Sequence, residues 1–207
     1  VGAPITEAVA ALTAEDLELT ATPGALYVEV NGRALYVEHG VQVRDGRIAL
    51  PLEVLAEAAG LQLTWDEVEG AAWLSTDQAQ PASASYPAED LYWLSRIISA
   101  ESRGEPLLGQ IAVGNVILNR VESSQYPDTV EGVVFDTKYG VQFQPVSNGT
   151  IYDAPASSSL VAAKLCLEGT DVVGESLYFF SPALSAGRWI VSKATYYTTI
   201  GGHQFYV

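Results

Sequence analysis

Between Trp93 and Val121 the chain reads WLSRIISAESRGEPLLGQIAVGNVILNRV, two apolar segments joined by a short polar elbow, ESRGEP. The first segment sets Trp93, Leu94, Ile97 and Ile98 at the spacings of one helix face. The second, which Pro106 can open, carries Ile111, Ala112, Val113, Val116, Ile117, Leu118 and Val121 around much of its circumference. A helix that is apolar on most sides must be enclosed by other elements, so this pair demands a domain assembled around it. Gly109 and Gly114 cost helix propensity but permit the close approach of a neighbour. Asn115 and Asn119, one turn apart on the same helix, must find partners in nearby backbone or face a cleft.

The elbow holds the candidate chemistry. Glu101 follows Ile97 by four residues on the same face, which puts it at the edge of the core near the helix C-terminus. Burial and the negative end of a helix both disfavour the anion and raise a carboxyl pKa. A carboxylic acid that keeps its proton near neutral pH is what general acid catalysis requires. The pattern alone equally allows a solvated acid in a helix-ending turn.

The 207 residues suffice for one large or two small domains, and 48% hydrophobic content can form a core. A net charge of -15 should repel phosphate backbones, so no nucleic acid partner is expected. The lone cysteine, Cys166, lies in the apolar run LVAAKLCLEG and reads as a small buried hydrophobe. It excludes an intrachain disulfide and any zinc site built on several thiolates. Only two histidines, His39 and His203, are present, and there is no Ser-His-Asp pattern or Gly-rich phosphate loop. No metal or cofactor is expected. No apolar run approaches the roughly 18 residues that span a bilayer. The chain starts at Val1 and contains no methionine, as a processed segment would, so the lack of a signal peptide is uninformative about destination.

Residues 1–75 read as a β-β-α-β-β module. ALYVEV and RALYVEH flank Asn31-Gly32 as a hairpin with a type I′ turn, and Asp45-Gly46 marks a second turn. PLEVLAEAAG is a helix opened by Pro51, with Leu52, Leu55, Ala56 and Ala59 on one face and Gly60 as its cap. LQLTWDEVEGAAWLS closes the module as another hairpin, while the stretch around Thr13–Leu19 is ambiguous. This unit resembles the small domain at the N-terminus of copper amine oxidases, on the Asn-Gly hairpin, GRIALPLEVLAEAAG and LTWDEVEGAAWL. The resemblance implies an accessory or targeting module; a lone His39 gives no copper site. Residues 76–86, rich in proline and small polar residues, read as a linker, with Ser85 able to cap the next helix.

Residues 87–207 form the second domain. After the helix pair, TVEGVVF reads as a short helix and KYGVQFQPVSNGTIYDAP as a loop. That loop carries Tyr139, Phe143 and Tyr152, aromatic faces of the kind that stack on sugars, or else core staples of the loop itself. Ser157–Glu168 is a helix ended by Gly169, and SLYFFSP and WIVSKATYYTTI read as strands. His203 and Phe205 end the chain beside the core.

The stretches RIISAESRGEPLLGQIAVGNVILNRV, VQFQPVSNGTIY, SLYFFSP and TIGGHQFYV resemble the catalytic domain of the spore cortex-lytic, SleB-type cell-wall hydrolases. The resemblance covers most of residues 90–207. It implies an α+β chain: the small β-rich module followed by a mainly helical, lysozyme-like catalytic domain with a few short strands. The KYGVQFQPV segment departs from the family's shorter approach to its Gln-Phe pair. The implied partner is the glycan strand of peptidoglycan, cut between N-acetylmuramic acid and N-acetylglucosamine, with the family's catalytic glutamate falling on Glu101. Glu105 reads as an exposed acid rather than a second catalytic one, although it could orient neighbouring groups. The absence of an evident carboxylate pair favours a lytic transglycosylase that leaves 1,6-anhydromuramyl ends. A hydrolytic muramidase or glucosaminidase and a non-catalytic wall-binding protein are the alternatives. Tyr139, Gln142, Phe143, Gln144 and Tyr178 are expected to line the groove, with Arg103, Glu105, Asn115 and His203 as supporting candidates. A monomer that is secreted or associated with the cell wall or spore of a bacterium is expected, with no protein partner implied.

Overall fold

The computed structural model describes residues 10–14, 17–76, 86–138 and 140–207, and the chain divides into two compact units, residues 1–85 and 86–207. In the first unit β1 (Ala10–Ala14), β2 (Leu17–Ala21), β3 (Tyr27–Val30) and β4 (Arg33–Tyr36) make an antiparallel sheet in sequence order. Asn31 and Gly32 have φ of 49° and 83°, the pair of left-handed residues that a type I′ turn requires. Asp45 and Gly46, at 50° and 72°, repeat the device between β5 (Gln42–Arg44) and β6 (Arg47–Ala49).

Two features differ from the β-β-α-β-β expectation. The ambiguous N-terminal stretch forms the β1–β2 hairpin, and Asn31 pins it. Asn31 Oδ1 accepts from Glu18 N at 2.8 Å and Asn31 N donates to Glu18 O at 3.0 Å. In α1 (Leu52–Ala58) the buried residues are Val54, Ala56 and Ala58, while Leu52 and Leu55 are exposed. A helix this short needs only the Val54–Ala58 pair to join the core of Leu19, Val28, Val30, Leu35 and Val37. Its end is a Schellman motif at Gly60: Gly60 N donates to Glu57 O at 3.0 Å and Leu61 N to Ala56 O at 2.8 Å. The hairpin of β7 (Gln62–Asp66) and β8 (Ala71–Ser75) completes the unit. The expected linker falls almost wholly outside the described residues, as does Ser85.

The second unit is built on α2 (Ala88–Ser102), α3 (Leu107–Glu122) and α6 (Ser157–Leu167), which pack on one another. Pro87 and Pro106 stand at the N-caps of α2 and α3. Ile111, Ala112, Val113, Val116 and Ile117 are all fully buried, as the apolar circumference of α3 requires. At Gly114 a Cβ would come within 2.6 Å of Cys166 Sγ and 2.8 Å of Ile98 Cδ1, so both neighbours approach α3 where it lacks a side chain. Cys166 is buried there, and burial pushes its thiol pKa up.

Beyond α3 lie the short helices α4 (Val130–Val134), capped by Thr129 Oγ1, and α5 (Gln144–Asn148), followed by a 3-10 turn at Thr150–Tyr152. The segment expected as loop is thus partly helical. Pro145 sits in the first turn of α5, and Gly149 ends it with φ 83°. A three-stranded antiparallel sheet, β9 (Tyr178–Phe180), β11 (His203–Tyr206) and β10 (Tyr196–Ile200), covers one side of α3. Phe205, Val173, Ala112 and Val116 form their common core. The WIVSKATYYTTI run is not one strand. Arg188–Lys193 is helix α7, despite its β-branched content, and the strand starts only at Tyr196. The helical turn brings Trp189 edge-on to Tyr178, with ring centroids 5.6 Å apart, and tertiary packing overrides the local propensity. Among the described residues no helix is long and apolar enough to cross a membrane.

Candidate active site

Leu94, Ile97 and Ile98 of α2 are fully buried, and the same face carries Glu101 to the edge of the core one residue before the helix ends. Burial holds its carboxyl above the ordinary carboxylate range. Glu101 opens into a cavity of about 290 Å³. Gln142, Phe143 and Gln144 form one wall; Phe179, Phe180 and His203 come from the sheet, and Arg120, Ser181, Leu184 and Ser185 also line it. A second cavity, of about 880 Å³, shares Arg120, Gln142 and Phe179 with the first and adds Tyr126, Lys138, Tyr178 and Trp189. The three shared residues place the two cavities side by side, and together they make up the candidate groove.

Of the groove candidates, Gln142, Phe143 and Gln144 lie beside Glu101 and Tyr178 lies in the adjoining cavity; Tyr139 lies outside the described residues. Three supporting candidates have other positions. Arg103 lines a different cavity, with Arg96, Asn148 and Asp153. Asn115 is buried and ties down backbone: its Nδ2 donates to Thr170 O at 2.7 Å and its Oδ1 accepts from Val172 N at 3.0 Å. Asn119 does the same for Gly174 O and Ser176 O. Both amides therefore hold the segment between α6 and β9 against α3 instead of facing the groove.

Glu105 is not the exposed acid expected from the sequence. Its side chain is 22% exposed, and Oε2 accepts from Gly202 N at 2.7 Å. A Cβ on Gly201 would collide with Oε2, and one on Gly202 would lie 2.9 Å from Oε1. The two-residue turn between β10 and β11 is therefore moulded around this carboxylate. The next residue, His203, stands with Nδ1 3.8 Å from Glu105 Oε1 and without a hydrogen-bond partner. Burial lowers the pKa of His203 and Glu105 opposes that shift. His203 also packs edge-on to Phe179, at 5.5 Å between centroids, so the elbow of the helix pair fixes a wall of the Glu101 cavity.

Arg120, Tyr126, Phe179 and Trp189 line the groove although sequence reasoning did not select them. Arg120 projects from the last turn of α3, and its Nε donates to Leu177 O at 2.8 Å. Its guanidinium carbon lies 5.0 Å from the Tyr126 ring, 5.4 Å from Phe143 and 5.9 Å from Tyr178. Burial lowers its pKa, yet an arginine remains charged at physiological pH. The Tyr126 phenol is pushed up to about 12 by burial and by the neighbouring Tyr178 hydroxyl. The available signal for Arg120 was a cation closing an otherwise apolar helix.

A half-buried acid whose carboxyl pKa burial raises, at the end of α2 beside aromatic and amide side chains, defines a cleft suited to acid catalysis on a polar polymer. Comparison with known proteins is specific. Residues 104–206 match the family described as Cell Wall Hydrolase, a range that begins just beyond Glu101, and residues 5–72 match the copper amine oxidase N-terminal domain. The spore cortex-lytic enzyme of Bacillus cereus is 38% identical over 120 residues, 58% of this chain and 45% of that protein. The cell wall hydrolase CwlJ of Halalkalibacterium halodurans is 33% identical over 101 residues, covering 46% of this chain and 69% of the relative. The solved catalytic domain of the germination-specific lytic transglycosylase SleB from Bacillus anthracis superposes with a TM-score of 0.54 at 36% identity. That match covers 61% of this chain and all of that domain. The chain belongs to the cell wall hydrolase family. It spans less than half the length of the spore cortex-lytic enzymes it matches.

Proposed function

We propose that this chain is a lytic transglycosylase acting on peptidoglycan glycan strands, with Glu101 as general acid and then base. The observation that carries this reading is that Glu101 is the one carboxylate among the described residues lining its cavity. A retaining or inverting glycosidase needs a second carboxylate within about 5–9.5 Å, as nucleophile or as base for water. Glu105, the nearest candidate in sequence, is engaged with Gly202 and does not line the cavity.

One acid suffices when the nucleophile belongs to the substrate. Glu101 gives its proton to the glycosidic oxygen as the bond from C1 of N-acetylmuramic acid breaks. The C6 hydroxyl of the same sugar attacks C1, and its proton passes to the Glu101 carboxylate. The new C1–O6 bond closes a 1,6-anhydro ring, and Glu101 is again protonated. Burial keeps the acid form available for the first step. Gln142 and Gln144 supply amides for acetamido and hydroxyl groups, and Tyr178 and Trp189 supply aromatic faces for the sugar rings.

In this reading residues 1–75 are an accessory module joined by the 76–86 linker, and the enzyme works at the bacterial wall or spore cortex. The similarity of relatives described as spore cortex-lytic supports that location. Mass spectrometry of digested peptidoglycan should reveal anhydromuropeptides, absent with Glu101→Gln. Reducing muramyl ends alone would establish hydrolysis instead, and undiminished cleavage by the folded Glu101→Gln protein would remove Glu101 from the chemistry.

A further inference from the structure

His203 is a buried imidazole in the wall of the Glu101 cavity, and its two nitrogens are placed differently. Nδ1 is enclosed without a hydrogen-bond partner and lies 3.8 Å from Glu105 Oε1. The other oxygen of that carboxylate, Oε2, is occupied by Gly202 N at 2.7 Å, which leaves Oε1 turned to the ring. Nε2 has no hydrogen-bond partner among the described residues either, but it is not shut away as Nδ1 is. Phe179 and Phe205 pack against the ring, with centroids 5.5 Å and 6.5 Å away. The side of the ring left open is therefore the one that lines the cavity.

This placement selects a tautomer. A lone pair on Nδ1 would face the Glu105 carboxylate and be repelled, whereas a proton there is attracted to it. The lone pair of the neutral ring then falls on Nε2. Burial lowers the pKa of His203 and so favours that neutral ring, against the opposing pull of Glu105. A ring protonated on Nδ1 offers the cavity an acceptor and no donor. Its neighbours there differ: Arg120 only donates, and Gln144 and the hydroxyls of Ser181 and Ser185 can donate or accept. The turn that carries His203 is in turn shaped by Glu105, which fits against Gly201 and Gly202 because neither has a Cβ. A fixed acceptor among adaptable groups discriminates, since it rewards a ligand donor and penalises a ligand acceptor at that point.

We infer that His203 is a specificity-determining residue of this site, its Nε2 accepting a hydrogen bond from a hydroxyl or acetamide N–H of the sugar bound beside Glu101, with Glu105 as the positioning residue that fixes the ring's tautomer. This rests on the glycan-strand reading of the cavity and names one polar contact within it. The two acids of the elbow then divide the work. Glu101 faces the reacting bond, and Glu105, four residues on, sets the hydrogen-bonding character of the opposite wall without touching substrate.

The chain has two histidines, so labelling histidine with nitrogen-15 leaves two rings to resolve. Long-range proton–nitrogen NMR spectra near neutral pH should show His203 with its proton on Nδ1, the tautomer that free histidine disfavours. Glu105→Ala should move the population toward the form protonated on Nε2. Adding soluble glycan fragments of spore cortex peptidoglycan to the Glu101→Gln chain should shift the His203 Nε2 resonance while those of His39 stay in place. With Glu101 intact and the same fragments as substrate, His203→Phe keeps a ring, loses both nitrogens and should lose about tenfold in kcat/KM. His203→Gln, which returns an acceptor oxygen, should recover part of that loss. A proton on Nε2 in the unaltered chain refutes the inference and needs no variant that folds. An Nε2 resonance unmoved by bound fragments, or a folded His203→Phe chain with full kcat/KM, also refutes it while leaving the glycan reading intact. Fragments that are neither bound nor cleaved overturn the contact and the glycan reading together.

Discussion

Replacing Gly201 by alanine tests how the helix elbow holds the wall of the cavity. Gly201 has φ +58°, where a residue with a Cβ is strained by roughly 1–2 kcal/mol. The added Cβ would also collide with Glu105 Oε2, the atom that accepts from Gly202 N at 2.7 Å. The carboxylate must leave, and a hydrogen bond to a charged group contributes about 1.5–3 kcal/mol. Because the Glu105 side chain is 22% exposed, the lower end of that range applies. The expected loss is about 3 kcal/mol, or roughly 10 °C in Tm for a domain of this size. A double-mutant cycle isolates the cause. With Glu105→Ala already present there is no carboxylate to displace, and Gly201→Ala should cost only the backbone strain, about 1 kcal/mol. Urea denaturation of the two single variants and the double variant measures the coupling, expected near 1.5–2 kcal/mol. Additive effects would show that the moulded turn does not depend on Glu105. Turnover should fall in each single variant, because His203 moves with the turn while Glu101 stays on its helix.

The raised pKa of Glu101 gives a stability signature of definite sign. Between the ordinary carboxyl value and the raised folded one, the native state binds more protons than the unfolded state, so stability falls as pH rises through that window. Glu101→Gln removes the effect. Its denaturation midpoint should match wild type below the window, exceed it increasingly across the window, and stay ahead by a constant margin above; a pH-independent difference would contradict the burial argument. The same variant should lose about 10²–10⁴-fold in cleavage rate, read from release of soluble glycan. In wild type the alkaline limb of the rate profile should lie above the ordinary carboxyl range, since the role proposed for Glu101 requires its protonated form. Asn115→Ala should behave oppositely. It strips partners from Thr170 O and Val172 N, costing about 1–3 kcal/mol for each buried group left unsatisfied, and a lowered Tm should accompany unchanged turnover below the transition.

These contrasts explain which parts of the molecule can be read along the chain. Period and turn chemistry are local, so α2, α3, α6 and both type I′ turns follow from the spacing of apolar residues and from Asn-Gly and Asp-Gly. Glu101 was legible for the same reason: its depth is set by Ile97 and Ile98 on its own helix. The misassigned pieces are those whose conformation depends on a distant partner. Trp189 enters a helical turn to meet Tyr178, and Glu105 becomes half-buried because a turn 97 residues later closes around it. Arg120 is the sharpest case. Nothing within α3 distinguishes it from an ordinary cation favourably placed at a helix C-terminus. Its meaning comes from Leu177 O, 57 residues away, and from three aromatic rings brought in by separate segments. An acid can be set up by the helix that bears it, whereas a cavity wall needs several segments to converge. The candidate acid was therefore readable from one motif, and the groups that other segments bring to its cavity were not.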